Sequence, residues 1–519
     1  MLENLWQTVK IDTSTFNRIE WGALWPAWIA SGSVLVVLLA DLILPKNQRR
    51  LLSWFACAGL ILAGGSAFVL MDSNPSAFQN MIAADDLSRF MAAIIFGTAA
   101  LVVLASPDYL SRIGVEATGE YYALVTAAAT GMWLLAAAIH FMVFFLALEL
   151  FSLALYILAG FLPRSTRSHE AGFKYFLLSS FASAFLLYGI ALIFGATGTT
   201  SYYGGNGKDG ILQYLVKNGL TGNNGILFLF GLGLLLVGFA FKVSAIPFHM
   251  WTPDVYEGAP TPVTLLMAVG TKAAIIAAFL RVFTGVLAPI ANDWRPLIWV
   301  LAAVTMVGGN LLAVSQTNIK RLLAYSAVAQ AGYLLVGLVS DNTLGRQGLV
   351  FYILAYSVMT VGAFAVVITL EGPRREGLAI GDFAGLAHTH PWLAAILALC
   401  LMSLGGVPPT VGFFGKAFVF GAAIQAGGWY LALAIIGVLT SVVAIFYYFR
   451  IVVQMYMGTA IVQPEGIKGP LVGKPTASLS FVLLVAAIGT LGLGFFAGIG
   501  MDWAQHAVTT IMGLDQTRQ

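Results

Sequence analysis

Long apolar stretches separated by short polar loops repeat along almost the whole chain. Most are about 20 residues or longer, the length that an α-helix needs to cross a bilayer. This pattern predicts an all-α polytopic membrane protein with about fourteen transmembrane helices. The predicted segments are 25–44, 50–71, 87–105, 120–138, 140–162, 170–197, 225–249, 259–286, 295–315, 321–340, 347–370, 391–422, 429–456 and 476–500.

Two of these stretches combine a charge with helix-breaking prolines at membrane depth. The seventh contains Lys242 and Pro247, and the twelfth contains Pro408, Pro409 and Lys416. Both features are costly in a membrane helix. Interrupted helices at corresponding positions are typical of transport folds built from inverted repeats.

The interrupted segments lie five helices apart, so two equivalent five-helix units must have opposite orientations in the membrane. The sequence therefore predicts four parts. Residues 1–119 hold the first three helices, 120–286 the first repeat, 287–456 the second, inverted repeat, and 457–519 the last helix and the C-terminal tail.

The composition excludes a soluble fold. The 519 residues are 59% hydrophobic and 9% charged, with mean hydropathy +0.88, whereas soluble domains carry roughly a quarter charged residues. A net charge of +3 is too small to indicate a nucleic-acid partner. Cys57 and Cys400 stand alone, so no cysteine-ligated cluster or disulfide framework is expected. Because nucleotide-binding and haem-attachment motifs are also missing, other chains or a second ion must supply the energy.

Basic residues are more frequent in the loops that follow the odd-numbered predicted helices. By the positive-inside rule these loops are cytoplasmic, and both termini are predicted on the outer, periplasmic side. The residues that carry this bias are Lys46, Arg49, Arg50, Arg112, Arg164, Arg167, Lys320, Arg321, Arg374, Arg375, Lys468 and Lys474.

Ionisable residues inside the predicted helices indicate proton chemistry. They are Glu149, Lys174, Lys242, Lys272 and Lys416. Each costs roughly 2.5–3.5 kcal/mol unless it faces protein, pairs or meets water. Burial makes a lysine release its proton more readily, and a nearby carboxylate opposes this effect. One carboxylate with several lysines can therefore form a switchable proton relay. Pro247 lacks a backbone N–H and is expected to leave a backbone carbonyl near Lys242 free.

Each of these residues also has a plainer interpretation. Lys174 is near a helix end and could extend its ammonium group to the membrane interface. Lys272 is in mid-helix and could do so less readily. Glu149 could be a buried structural partner of a lysine. His249, at the predicted end of the seventh helix, is a candidate relay member, and a helix cap or hydrogen-bond partner is the alternative.

Four segments together resemble the antiporter-like subunits of respiratory complex I, the proton-translocating NADH:quinone oxidoreductase. The resemblance extends from about residue 20 to residue 500, and the combination of motifs is specific to that family. The segments are KVSAIPFHMWTPDVYEGAPTPVT, LALELFSLALYIL, NIKRLLAYSAVAQAGYLLVG and GGVPPTVGFFGKAFVF.

The resemblance implies a role for each intramembrane charge. Glu149 and Lys242 match the charge pair of the family. Lys272 matches the lysine that links two half-channels, and Lys416 matches the lysine on the exit side. Lys174 matches a lysine of the sixth helix.

The resemblance also implies where cofactors and partners are. No cofactor is expected on this chain; NADH, FMN, iron–sulfur clusters and quinone belong to partner subunits. The expected partners are other membrane-arm and peripheral-arm subunits and membrane lipids, in the cell inner membrane. Two other functions stay open: a subunit of a multisubunit sodium/proton antiporter, and a membrane scaffold that has lost transport. The retained charges weigh against the scaffold.

Overall fold

Almost all of the described chain is helical. The computed structural model describes residues 21–71, 76–78, 80–116, 118–205, 208–372, 379–458 and 475–509. The helices are α1 Trp25–Ile43, α2 Arg50–Val69, α3 Asp86–Arg112, α4 Gly119–Ala137, α5 Phe141–Ala159, α6 Thr166–Thr197, α7 Ile211–Asn218, α8 Gly222–Val243, α9 Trp251–Gly258, α10 Thr261–Phe279, α11 Ala291–Val314, α12 Ile319–Ser340, α13 Thr343–Leu370, α14 Leu386–Thr389, α15 Pro391–Gly405, α16 Val411–Ala426, α17 Tyr430–Met457, α18 Ala477–Phe495 and α19 Ala497–Thr509. Short 3-10 turns lie at Trp21–Leu24, Lys46–Gln48, Ala288–Ile290 and Ile380–Phe383, and an antiparallel pair of strands is formed by β1 Ser76–Ala77 and β2 Ile82–Ala83.

Within the described ranges, twelve helices are long and apolar enough to cross a membrane. α4 is not among the twelve, and α15 and α16 are apolar but shorter. The chain is therefore a polytopic all-α membrane protein, as the hydropathy pattern predicts. Four basic residues used for the predicted orientation lie outside the described residues: Arg374, Arg375, Lys468 and Lys474.

α10 is the central helix of the fold. Its most apolar window is completely buried, and it packs against α3, α4 and α13. α12 and α13 are almost as deeply buried, whereas α1, α17 and α18 are buried over a third of their windows or less. A helix that is apolar on all sides and enclosed by others belongs to the core of the bundle. Residues on α10 therefore contact protein rather than lipid.

A buried ion pair fixes the C-terminal end of α10 to the N-terminus of α3. α10 continues as a π-helical turn, Leu280–Val286, which carries Arg281. Two nitrogens of the Arg281 guanidinium each donate to a carboxylate oxygen of Asp85 at 2.7 Å, and Nε donates to the carbonyl of Ala136 at 2.7 Å. Both side chains are almost completely buried. Removal of either partner would leave an unpaired core charge, which costs about 3–5 kcal/mol.

The helix predicted over 225–249 ends earlier than expected. α8 stops at Val243 because Ser244 has a left-handed backbone with φ 65°. The prediction that this helix continues to His249, with Pro247 inside it, is therefore wrong. Since the helix has already ended, Pro247 does not interrupt it; the left-handed serine does.

Side chains close the gap between α8 and α9. Trp251 Nε1 donates to the carbonyl of Phe241 at 3.1 Å, and this carbonyl also accepts a hydrogen bond from the Ser244 N–H at 3.1 Å. Thr252 Oγ1 donates to Ser244 Oγ at 2.8 Å. The break is thus a defined turn with its own polar contacts.

The stretch predicted as one interrupted helix over 391–422 consists of two helices, α15 and α16. Gly406, directly after α15, has φ 90°, a left-handed conformation that glycine adopts at little cost. Gln330 Nε2 donates to the carbonyl of Leu404 at 3.1 Å, so a side chain of α12 satisfies the exposed end of α15. Both breaks therefore begin at a left-handed residue.

A matched pair of substitutions tests the origin of the first break. Ser244→Ala and Ser244→Gly both remove the hydroxyl that Thr252 contacts, but only alanine retains a Cβ in the left-handed conformation. We expect Ser244→Ala to be less stable than Ser244→Gly by about 1–2 kcal/mol. Thermal unfolding of the two detergent-extracted variants, followed by size-exclusion fluorescence, measures the difference. Equal stability would contradict this account of the break.

Candidate functional site

Of the lysines predicted as site residues, three lie in the interior of the helix bundle; Lys320, at the start of α12, is also buried. Lys242, Lys272 and Lys416 are 4%, 1% and 4% exposed. A buried ammonium group must be hydrogen-bonded, because removal from water otherwise costs several kcal/mol. Each of the three has protein acceptors and lies near the face of an aromatic ring.

Lys242 is held by hydroxyl groups from two other helices. Its Nζ donates to Ser152 Oγ on α5 at 2.7 Å and to Ser179 Oγ on α6 at 2.8 Å. The ring centroid of Phe151 is 5.4 Å away. Because Lys242 is in the last turn of α8, the negative end of the helix dipole also favours its charge.

Glu149 lies one turn before Ser152 on α5 and interacts electrostatically with Lys242. Within the described residues, no ion pair of 4 Å or less joins the two side chains, and Glu149 Oε1 is buried with no hydrogen-bond partner. The hydroxyl groups, not the carboxylate, therefore accept the hydrogen bonds of Lys242 in this structure.

Lys272 projects from the central helix α10 towards α12. Its Nζ donates to the backbone carbonyl of Ala327, and the Tyr356 ring centroid is 5.4 Å away. The interpretation in which Lys272 reaches the membrane interface is therefore wrong. Complete enclosure of α10 leaves the ammonium group no route to the interface.

Lys416 binds the end of the broken helix α15. Its Nζ donates to the carbonyl of Gly405 at 2.9 Å and to Ser441 Oγ at 3.2 Å, and it lies 4.6 Å from the Tyr333 ring centroid. A Cβ at Gly406 would be 3.0 Å from Cδ of Lys416. Glycine at this position therefore allows the lysine to approach the helix end, where a cation is favoured by the free carbonyls.

One face of α12 connects Lys272 with Lys416. Ala327, Gln330 and Tyr333 follow one another at three-residue intervals, so they extend over about 9 Å of the helix. The first contacts Lys272 and the last lies under Lys416. In contrast, among the described residues no direct hydrogen bond or ion pair links Lys242 to Lys272.

Polar partners from α13 and α17 extend this face of α12. The Tyr352 hydroxyl donates to Gln330 Oε1, and Ser326 is hydrogen-bonded to the Tyr448 hydroxyl. Sequence analysis missed these residues. A signal was present: Ser326, Gln330 and Tyr333 are spaced by four and three residues in the mainly apolar middle of α12, which places them on one side.

Lys174 belongs to a separate cluster of ion pairs. Its Nζ is 2.6 Å from a Glu170 oxygen and 2.8 Å from an Asp254 oxygen, and its side chain is 40% exposed. Arg321 joins Asp254 at 2.8 Å and Glu257 at 2.9 Å. Among the described contacts, the structure does not bring Lys174 together with the three buried lysines.

His249 lies in the turn between α8 and α9 and not at a helix end. Its backbone carbonyl accepts a hydrogen bond from the Thr252 N–H at 2.9 Å. The imidazole lies with its centroid 6.3 Å from that of Tyr325, and Nδ1 is buried with no hydrogen-bond partner among the described residues. The backbone carbonyl of His249, and not its imidazole, therefore accepts the hydrogen bond at the start of α9.

Comparison with known proteins covers the whole region of this site. Residues 138–444 match the family model described as NADH:quinone oxidoreductase/Mrp antiporter, TM. The chain is 41% identical to NADH-quinone oxidoreductase subunit N of Trichlorobacter lovleyi, over 96% of this chain and 98% of that protein. It is 40% identical to subunit N of Chloroflexus aggregans, over 93% and 96% of the two chains.

Solved structures give the same relationship. A chain of respiratory complex I from Thermus thermophilus with bound aureothin has a TM-score of 0.74 and 34% identity, over 92% of this chain and 98% of that one. A chain of the Mrp complex from a Dietzia species has a TM-score of 0.79 but 21% identity, over 95% and 98%, and so shows the fold alone. The chain therefore belongs to the NADH:quinone oxidoreductase/Mrp antiporter family, and within it to the subunit N group of NADH-quinone oxidoreductase.

Proposed function

We propose that this chain is an antiporter-like membrane-arm subunit of NADH:quinone oxidoreductase, complex I, that translocates protons across the membrane. Electron transfer from NADH to quinone, which supplies the energy, takes place in other subunits. The observation that carries the proposal is the set of three buried, hydrogen-bonded lysines. Two of them are joined by the polar face of α12.

The proposed relay leads from the cytoplasm to the outer side through Glu149, Lys242, Lys272 and Lys416. A charged Glu149 favours the ammonium form of Lys242, and a neutral Glu149 favours release of its proton. The serine hydroxyls around Lys242 can both accept and donate, so they can stabilise either protonation state. Proton movement between Lys272 and Lys416 would follow the polar side chains of α12.

Two further residues have accessory roles in this proposal. Lys174 is assigned to proton entry, supported by its partly exposed position beside Asp254 at the start of α9. His249 is assigned to the relay near α8. This assignment is supported by its buried Nδ1 atom, which has no hydrogen-bond partner within the described chain. His249 lies in the first break, between α8 and α9, and Lys174 contacts α9, which follows this break.

We further propose fourteen membrane crossings, in which α8–α9 and α15–α16 each form one broken crossing. The proposed repeats are 120–286 and 287–456, flanked by 1–119 and 457–519, with both termini on the periplasmic side of the cell inner membrane. Support comes from the likeness of the breaks, each of which begins at a left-handed residue directly after a helix. No cofactor is assigned to this chain; NADH, FMN, iron–sulfur clusters and quinone are assigned to partner subunits.

A multisubunit sodium/proton antiporter is the second candidate, because the Mrp chain has the same fold. The sequence identity favours complex I, since it is 34% with the complex I chain and 21% with the Mrp chain. The two candidates differ in their need for redox partners and for sodium.

Lys242→Ala tests the relay directly. Loss of a positioned proton-transfer group is expected to slow proton transfer through this chain by about 100-fold or more. Protons translocated per electron are measured in vesicles that contain the assembled complex. Lys217→Ala is the matched control, because its exposed side chain pairs with Asp209 away from the buried lysines. Wild-type pumping in a correctly assembled Lys242→Ala complex would refute the role of Lys242.

Glu149→Gln separates charge from structure. The substitution keeps the side-chain shape and both serine contacts of Lys242, so the complex is expected to assemble. Pumping is expected to fall about tenfold or more, because the charge that acts on Lys242 is lost. Assembly is followed by native gel and pumping by a pH-sensitive dye. Normal pumping would show that the carboxylate charge is not needed.

Replacement of sodium tests the second candidate. If the chain translocates protons alone, exchange of sodium for choline in the vesicle assay leaves proton pumping and its ratio to electron transfer unchanged. Co-purification of flavin and iron–sulfur subunits with the chain is the matching biochemical measurement. A proton flux that requires sodium and occurs without redox subunits would favour the antiporter.

A further inference from the structure

A polar cavity lies at one end of the bundle, where the turn between α1 and α2 meets the end of α3 and the start of α4. Its volume is 380 Å³. The turn contributes its basic residues, and Tyr122 lines the cavity from the first turns of α4. None of the residues assigned to the proton relay lines this cavity, so a role for it does not depend on the proposed translocation.

The cavity carries an excess of positive charge. Lys46, Arg49 and Arg50 line it. Arg49 is engaged by carboxylates, since Nε is 3.3 Å from Asp41 and Nη1 is 3.3 Å from Glu116. Within the described chain, the side chains of Lys46 and Arg50 form no ion pair of 4 Å or less and are exposed. Three cations and two carboxylates leave one positive charge, which a singly charged phosphate diester would balance.

A buried hydroxyl group also lines the cavity. Tyr122 is 0% exposed, and its hydroxyl has no hydrogen-bond partner among the described residues. Ser53, whose hydroxyl is close to that of Tyr122, donates to the Arg50 carbonyl at 2.8 Å. A buried polar group without a partner is costly, so an acceptor is expected beside Tyr122. Arg50 interacts electrostatically with Tyr122, which brings a cation and an unused donor to the same space.

Exposed apolar side chains lie directly beside the cavity. Trp54 is one turn beyond Arg50 on the same side of α2 and is 57% exposed. Leu51, Leu42 and Ile43 are exposed next to the same turn. Tryptophan is favoured at the level of lipid headgroups, so the cavity has the polarity of a headgroup site with acyl-chain surface next to it. This arrangement suits an amphiphile better than a free phosphate ion, although both share the phosphate chemistry.

We propose that this cavity binds one anionic phospholipid with an uncharged headgroup, of the phosphatidylglycerol type. Its phosphate diester contacts Lys46 and Arg50, the Tyr122 hydroxyl donates to a headgroup oxygen, and the acyl chains lie against the exposed side of α2 around Trp54. A guanidinium and an ammonium group both bind phosphate oxygens through charge-assisted hydrogen bonds. An ammonium headgroup is disfavoured, because it would add a cation where positive charge is already in excess.

Photo-crosslinking of the assembled complex tests the site. The complex is placed in nanodiscs of phosphatidylcholine, which is zwitterionic. Phosphatidylglycerol or phosphatidylethanolamine with a diazirine near the acyl ester is added, and labelled peptides are identified by mass spectrometry. We expect phosphatidylglycerol to label the start of α2, from Leu51 to Phe55, about tenfold more than phosphatidylethanolamine.

Arg50→Gln tests the charge at the site. It is expected to reduce labelling by phosphatidylglycerol about tenfold. Arg164→Gln is the matched control, because Arg164 is also exposed, lies on the same predicted side of the membrane and does not line the cavity. An equal loss of labelling in both variants would mean general attraction of anionic lipid to a basic surface, which would overturn the proposal.

Tyr122→Phe tests the buried hydroxyl separately. The substitution removes a hydroxyl that has no partner in the described chain, so the fold is expected to tolerate it. Labelling by phosphatidylglycerol is expected to fall about threefold or more. Tyr202→Phe is the control, because Tyr202 is equally buried and its hydroxyl also has no partner there, but it does not line the cavity. Unchanged labelling in Tyr122→Phe would contradict the assigned hydrogen bond.

The remaining outcomes decide between occupants. Equal labelling by both lipids, unchanged in Arg50→Gln, would mean bulk lipid and would overturn the proposal. Labelling of exposed α6 without labelling of α2 would mean that a partner subunit covers the cavity, which also overturns it. Loss of labelling in excess inorganic phosphate, but not in sodium chloride of the same ionic strength, would identify a site for free phosphate instead. Selective labelling that persists in phosphate and falls only in the two cavity variants supports the lipid.

Discussion

An ammonium group inside a membrane protein needs hydrogen-bond acceptors from the protein itself, and the packing around the three buried lysines meets this need. Desolvation of each charge costs several kcal/mol unless it is compensated. Hydroxyls of α5 and α6 compensate Lys242, a carbonyl of α12 compensates Lys272, and the end of α15 compensates Lys416. Lys242 and Lys272 therefore tie their helices to others that are distant in sequence, whereas Lys416 ties α16 to its neighbours α15 and α17. An aromatic ring beside each ammonium group adds a further attraction.

The two helix breaks contribute to this compensation of the buried ammonium groups. An unbroken membrane helix offers a charge little, because its carbonyls are already bonded within the helix. Where α15 stops, free carbonyls become available to Gln330 and Lys416. At the end of α8, Trp251 donates a second hydrogen bond to the Phe241 carbonyl, and Ser152 and Ser179 accept hydrogen bonds from Lys242. Broken helices thus provide polar backbone at a depth where water is scarce.

Much of the fold could be predicted from the sequence, because bilayer-length apolar runs and isolated charges are local features. The origin of the first break could not be predicted, because a left-handed backbone at Ser244 has no signature in the amino-acid sequence. The proline at position 247 indicated a break later in the chain. The pair of Asp85 and Arg281 was also missed. These residues are 196 positions apart and lie near predicted helix ends, where single charges are ordinary. Likewise Gln330 gains its meaning only from the packing of α12 against α13 and α15.

The bond between Lys416 and the Gly405 carbonyl has a mechanical consequence. Hydrogen bonds from charged donors contribute about 1.5–3 kcal/mol and neutral ones about 0.5–1.5 kcal/mol. Conversion of the ammonium group to an amine therefore loosens the end of α15. The next residue, Gly406, has the backbone freedom to move in response. The stiffness of this helix junction thus varies with the presence of a single proton, so that electrical charge and backbone shape are coupled at one point.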